Sequence, residues 1–157
     1  SPPHPARTAA STAALANRPS AMPAWYTRTP GLNSRRPMRV RLSKSFTFEA
    51  AHRLPNLPPE HKCSRLHGHS FRVRVCVAGP VDERTGWVMD FGDIKATCQP
   101  VIDELDHRYL NEIEGLENPT SERIAEWLWR RIRPRLPQLS AIEMRETCTS
   151  GCRYRGE

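Results

Sequence analysis

From Met38 onward the chain alternates between apolar and polar side chains. Val40, Leu42, Phe46, Phe48, Ala50 and His52 share one parity, broken only by Lys44, while Arg41, Ser43, Ser45 and Thr47 share the other. Strand side chains point alternately to opposite faces, so this pattern predicts a half-buried strand. Residues 54–60 hold three prolines and read as a loop. Residues 70–78 alternate again, with Phe71, Val73, Val75 and Val77 on one face, and Gly79-Pro80 ends that strand. Residues 82–86 read as a turn leading into a third short strand at 87–91.

The period then lengthens. Residues 93–103 predict a helix with Ile94, Val101, Ile102 and Leu105 facing the core and Pro100 as an internal fault. A second helix is expected with Asn118 as N-cap, Pro119 at the first helical position and Glu122 complementing the dipole. Its apolar stripe is Ile124, Trp127, Leu128 and Ile132, and Pro134 and Pro137 close it. A last strand over 140–147 places Ile142, Met144 and Glu146 on one face. The order β-β-β-α-α-β implies an α+β domain with an antiparallel sheet.

Composition refines this in three places. At 157 residues one domain is expected, and no apolar run approaches the ~18 residues of a membrane-spanning helix. Residues 1–37 hold seven of the fifteen prolines, five arginines and no Asp or Glu, so they carry +5 of the formal +7. The basic balance therefore belongs to this tail, and no nucleic-acid partner is expected for residues 38–157. The tail is expected to be disordered; an organellar transit peptide and translated upstream sequence, with Met22 or Met38 as the start, are the other readings, and it lacks the apolar region of a secretory signal. Five cysteines, an odd number, argue for reduced thiols and a cytoplasmic protein rather than a disulfide framework.

Candidate chemistry concentrates in Cys63-Ser-Arg-Leu-His67-Gly68-His69. His67 and His69 at a strand entry point to one side, and His52 leaves the first strand on its apolar parity. If the strands are neighbours, three imidazoles converge, the ligand set of a metal site with an open position. Gly68 allows a ligand or a backbone to approach. Cys63, near Lys62 and Arg65, is a fourth ligand, a nucleophile, a general base or an inert thiol; the positive neighbours favour thiolate. Asp106-His107 is either an acid–base pair or a polar helix terminus. Glu146 on the apolar parity needs a partner, either a ligand with two N–H donors or a protein arginine. The Cys148 and Cys152 spacing is not diagnostic of a metal site. The run from Trp127 to Arg135 reads as core tryptophans plus a solvated face.

Several segments carry a family resemblance: FTFEAAHRL from Phe46, CSRLHGHSF from Cys63, TGWVMDF from Thr85, LDHRYLN from Leu105, GLENPTSE from Gly115 and ETCTSGCRYRGE from Glu146. Together, over residues 38–157, they resemble the 6-pyruvoyl-tetrahydropterin synthase superfamily. Within it the chain is most similar to the 6-carboxytetrahydropterin synthases of queuosine and 7-deazapurine biosynthesis. Three residues separate Cys63 from the HGH, where the pyruvoyl branch is expected to have a longer insert, and the ETCTxGC run is typical of the carboxy branch. The resemblance implies a tunnelling fold (T-fold), with an antiparallel sheet backed by two helices and a barrel closed by oligomerisation, usually as a homohexamer with active sites at subunit boundaries. It implies Zn2+ on His52, His67 and His69, and Cys63 as the catalytic thiol. It further implies Asp106 and His107 as an acid–base relay, with Glu146 as pterin anchor counted with that relay. The implied substrate is 7,8-dihydroneopterin triphosphate, and the implied products are 6-carboxy-5,6,7,8-tetrahydropterin, acetaldehyde and triphosphate. Arg53, Lys62 and Arg65 are candidates to meet the triphosphate. The alternatives are a pyruvoyl product formed by triphosphate elimination and a non-catalytic zinc-stabilised binding module.

Overall fold

A computed structural model describes residues 36–147 and 149–157, so the expected tail, apart from Arg36 and Pro37, and Cys148 lie outside the described residues. Two long strands, β1 (Arg39–His52) and β2 (His67–Pro80), pair antiparallel along their whole length. Helix α1 (Phe91–Asp103), strand β3 (Arg108–Tyr109), helix α2 (Ser121–Ile132), β4 (Leu139–Arg145) and β5 (Cys152–Tyr154) follow. The strands form one five-stranded sheet in the order β3-β1-β2-β4-β5. This is the α+β arrangement of the implied T-fold: a sheet backed by two helices and not closed on itself, with β3 and β5 as edges.

Period-two alternation gives the sheet its two faces. Phe46, Phe48, Phe71, Val73, Val75, Ile142 and Met144 are buried against Ile94, Ile102, Ile124 and Leu128 of the helices. Phe48 and Phe71 are register partners whose rings stack at 4.8 Å, locking the strands toward their loop end. Helix α2 buries Trp127, whose indole N–H donates to the Glu114 carbonyl at 3.1 Å. Its other face is solvated: Arg123 and Arg130 pair with Glu126, and Arg131 pairs with Glu104 while lying 4.0 Å over the Trp127 ring. The tryptophan–arginine run is thus core plus surface.

Four sequence expectations need correction. Residues 87–91 form no strand. Asp82 accepts N–H bonds from Arg84 and Thr85, and Asp90 caps α1 through Gly92 N–H, so Phe91 becomes the first helical residue. Asn118 is not the N-cap of α2. Thr120 is, accepting from Arg123 N–H, because the preceding Pro119 carbonyl is turned away from the helix toward a histidine. The last strand ends at Arg145, so Glu146 lies in a bend beyond it. The sheet is mixed rather than antiparallel, since β3 runs parallel to β1; β3 and β5 are too short for any periodicity to announce them. Among the described residues, no helix is long and apolar enough to cross a membrane.

Cys98 on α1 is fully buried, and burial pushes its thiol up to about 11 from an ordinary 9.0. A raised folded value means that above pH 9 the unfolded chain loses this proton first, so stability falls as pH rises from about 9 to about 11. Denaturant midpoints measured across that window should fall less steeply for Cys98→Ala than for the parent. Equal slopes would show that Cys98 contributes nothing to the alkaline loss.

Candidate metal centre and active site

The β1–β2 register sets His52 directly opposite His67 and Ala50 opposite His69. All three histidines therefore project from the core face at the same end of the hairpin. One ring nitrogen from each lies within 4.8 Å of the others, and the ring centroids are 4.5, 5.2 and 5.0 Å apart. Phe71 closes the floor edge-on to His52 and His69. A Cβ at Gly68 would meet the Ala50 carbonyl oxygen at 3.2 Å, so the glycine serves close approach of the two backbones.

Hydrogen bonds fix the tautomers of two rings. His52 Nδ1 lies 2.9 Å from the Pro119 carbonyl, and His67 Nδ1 lies 2.8 Å from the Arg65 carbonyl. A carbonyl only accepts, so each Nδ1 carries the proton and each Nε2 offers a lone pair. His52 Nε2 is buried without a hydrogen-bond partner in the structure. An orphaned buried acceptor costs about 1–3 kcal/mol unless something takes its lone pair. Burial lowers the His52 pKa, against the opposing Pro119 bond, and so favours the neutral imidazole a metal needs. The donor set fits a metal ion with positions left open for another ligand.

One residue that the sequence reading did not single out holds this corner together. Asn111 accepts from Arg53 N–H at 2.9 Å and donates to the Arg53 carbonyl at 2.9 Å and the Glu117 carbonyl at 3.1 Å. Its amide thus clips the residue after His52 to the loop that carries Pro119. A lone asparagine in a short 3-10 turn (Leu110–Glu112) offers no periodicity or spacing by which to find it.

The other expected site residues fall around the histidines. Cys63 lies in a 3-10 turn (Lys62–Ser64), half-buried; its N–H donates to His61 Nδ1 and its carbonyl accepts from Leu54 N–H at 2.8 Å. That last bond ties the cysteine loop to the chain just beyond His52. Asp106 and His107 do form a pair, Oδ2 to Nδ1 at 3.0 Å. The turn is anchored on Glu49 of β1, whose N–H donates to Asp106 and whose carbonyl accepts from His107 N–H. The Glu49 N–H, then the His107 bond, holds the Asp106 carboxyl below its ordinary range. His107 adopts a left-handed φ of 56°, uncommon outside glycine and concentrated at functional sites. With His69, Gly68 and Tyr109 it rims an open groove of about 560 Å³. Glu146 is half-buried, and its charge acts on His52 to raise that histidine's pKa. Cys152 is half-buried on β5, where burial followed by Glu122 pushes its thiol up.

The family model for 6-pyruvoyl tetrahydropterin synthase matches residues 41–157, and the chain belongs to that family. A 6-carboxy-5,6,7,8-tetrahydropterin synthase from Synechocystis sp. is 50% identical over 117 residues, covering 71% of this chain and 89% of the relative. A dihydroneopterin monophosphate aldolase from Pyrococcus furiosus is 41% identical over 100 residues, covering 64% and 81%. The solved 6-pyruvoyl tetrahydropterin synthase of Caenorhabditis elegans superposes with a TM-score of 0.72 at 27% identity, covering 77% of this chain and 98% of that one.

Replacing Asn111 by Ala should weaken metal binding at the three histidines about 10–100-fold, the usual cost of losing support behind a ligand. Competition titration against a chromogenic chelator measures this, with circular dichroism showing that the variant is folded. Unchanged affinity would remove Asn111 from the support of His52.

Proposed function

We propose that the protein is a zinc-dependent lyase that converts 7,8-dihydroneopterin triphosphate and water into 6-carboxy-5,6,7,8-tetrahydropterin, acetaldehyde and triphosphate. It works in the cytoplasm for queuosine and 7-deazapurine biosynthesis, as a homohexamer. The observation that carries this reading is the three-imidazole centre, with its orphaned His52 Nε2, on a chain half identical to a curated carboxytetrahydropterin synthase. His52, His67 and His69 would hold the ion, the first two through Nε2 and the third through a ring nitrogen. Bound there, zinc supplies Lewis acidity toward the hydroxyls of the substrate side chain.

The chain's own groups do the rest. Cys63 accepts a proton as thiolate. Asp106 stays ionised and holds His107 Nδ1–H, which leaves His107 Nε2 to pass protons to and from the side chain. Glu146 accepts the N–H edge of the pterin. The open edges at β3 and β5 pair with other copies, which puts the sites at subunit boundaries and removes the exposed ladders. A second reading has specific support in the aldolase relative: cleavage of a monophosphorylated dihydroneopterin on the same scaffold.

Product analysis of the zinc-loaded protein decides between them. Acetaldehyde and a 6-carboxypterin from the triphosphate substrate are expected. A 6-pyruvoyl product without acetaldehyde would move the protein to the other branch, and turnover confined to the monophosphate would favour the aldolase. With Cys63→Ala, zinc content and fold should persist while turnover falls about 10²–10⁴-fold. A variant that turns over normally would strip Cys63 of its role, and no turnover by the zinc-replete wild type would leave a binding module.

A further inference from the structure

The sheet face away from the helices carries a charge arrangement that the pterin chemistry does not use. Arg41, Arg72, Arg74, Arg145 and Arg153 all project from it, against only Glu49 and Glu143. Two rows cross the strands. In one, Ser45, Arg74, Glu143 and Arg153 are successive register partners, and Glu143 is bonded by both arginines. In the other, Thr47 faces Arg72, and Arg72 faces Arg145. This second row sets two cations directly opposite each other on neighbouring strands, an unfavourable arrangement.

Among the described residues neither Arg72 nor Arg145 has a carboxylate within ion-pairing distance. Residues 1–35 and Cys148 include no Asp or Glu, so the rest of the chain supplies no acidic side chain either. The nearest carboxylate in the row arrangement, Glu143, is already shared between Arg74 and Arg153. Between the rows lies a cavity of about 220 Å³ lined by Ser45, Thr47, Arg72, Arg74, Glu143 and Arg145. Neighbouring strands run about 4.8 Å apart, so two guanidinium groups on adjacent strands can share one tetrahedral oxyanion. Arginine forks match phosphate oxygens in pairs, and the hydroxyls of Ser45 and Thr47 add donors.

We propose that this cavity is a binding site for a phosphate-type oxyanion, held chiefly by Arg72 and Arg145 and separate from the three-histidine centre. The proposal does not depend on the pterin reading, since a protein inactive toward pterins would still bind phosphate here. Inorganic triphosphate and orthophosphate, as free ions, are the two probes.

The test is thermal stability of the full zinc-loaded protein at low ionic strength, where such contacts are least screened. The wild type should gain several degrees in Tm at millimolar triphosphate. Arg72→Gln should lose most of that gain, whereas Arg135→Gln, which removes the same charge from a loop outside the cavity, should keep it. A gain with triphosphate but not orthophosphate would assign the site to a polyphosphate chain, and a gain with both to single phosphoryl groups; either supports it. Three results would overturn the proposal: no gain in the wild type, an undiminished gain in Arg72→Gln, or equal losses in the two variants. A changed oligomeric state in Arg72→Gln with phosphate stabilisation intact would also overturn it, and would assign the arginine pair to contact between copies.

Discussion

Everything at the candidate site depends on the register between β1 and β2. Strand side chains repeat every two residues, so a slip of one position would carry His52 to the solvent face while leaving His67 and His69 inside. The register is held by the buried core-face residues Phe46, Phe48, Phe71, Val73, Val75 and Val77, among them the stacked pair Phe48 and Phe71, four positions from His52 and His67 respectively. The same alternation that buries the core thus aims the imidazoles. Core packing and site geometry are one constraint, which is why the centre sits at the hairpin's end, where the apolar stripe runs out and polar groups are tolerated.

The cost of that placement falls on His52. Among the described residues it is the one buried polar side chain of the core, and its two ring nitrogens have opposite fates: Nδ1 is satisfied by the backbone and Nε2 is not. The stretch from Asn111 to Pro119 reads as the device that makes this tolerable, since it supplies both the clip on Arg53 and the carbonyl that orients the ring. Proline suits the second task, because its own nitrogen offers no competing N–H and its carbonyl is freed from the helix by the cap at Thr120.

Much of this was legible in the chain. Alternation located β1 and β2 within a few residues, and shared parity brought His52, His67 and His69 together before any coordinates did. Asp106 and His107 pair, one of the two readings their adjacency left open. What failed had local causes. The segment 87–91 carries strand-like residues, but Asp90 is a cap, and a cap outweighs composition. Asn118 and Thr120 are both good caps, and only the His52–Pro119 bond, 67 residues apart in sequence, decides between them. β3 and β5 exist because neighbouring strands recruit them, which no local pattern records. Asn111 acts through three backbone partners, none of them predictable from its neighbours.

His52 and His67 also stand at the two ends of the segment 53–66, the loop that carries Cys63. The loop returns on itself through the bond from Leu54 to the Cys63 carbonyl, but its neck is the pair of facing imidazoles. An ion gripped by both would act as a cross-link at the mouth of the loop and shrink the set of shapes open to it, as any closure of a flexible segment does. The centre would then do for the cysteine what a clasp does for a strap. Filling it would settle where the thiol is held, so the order of the loop and the occupancy of the imidazoles become a single variable.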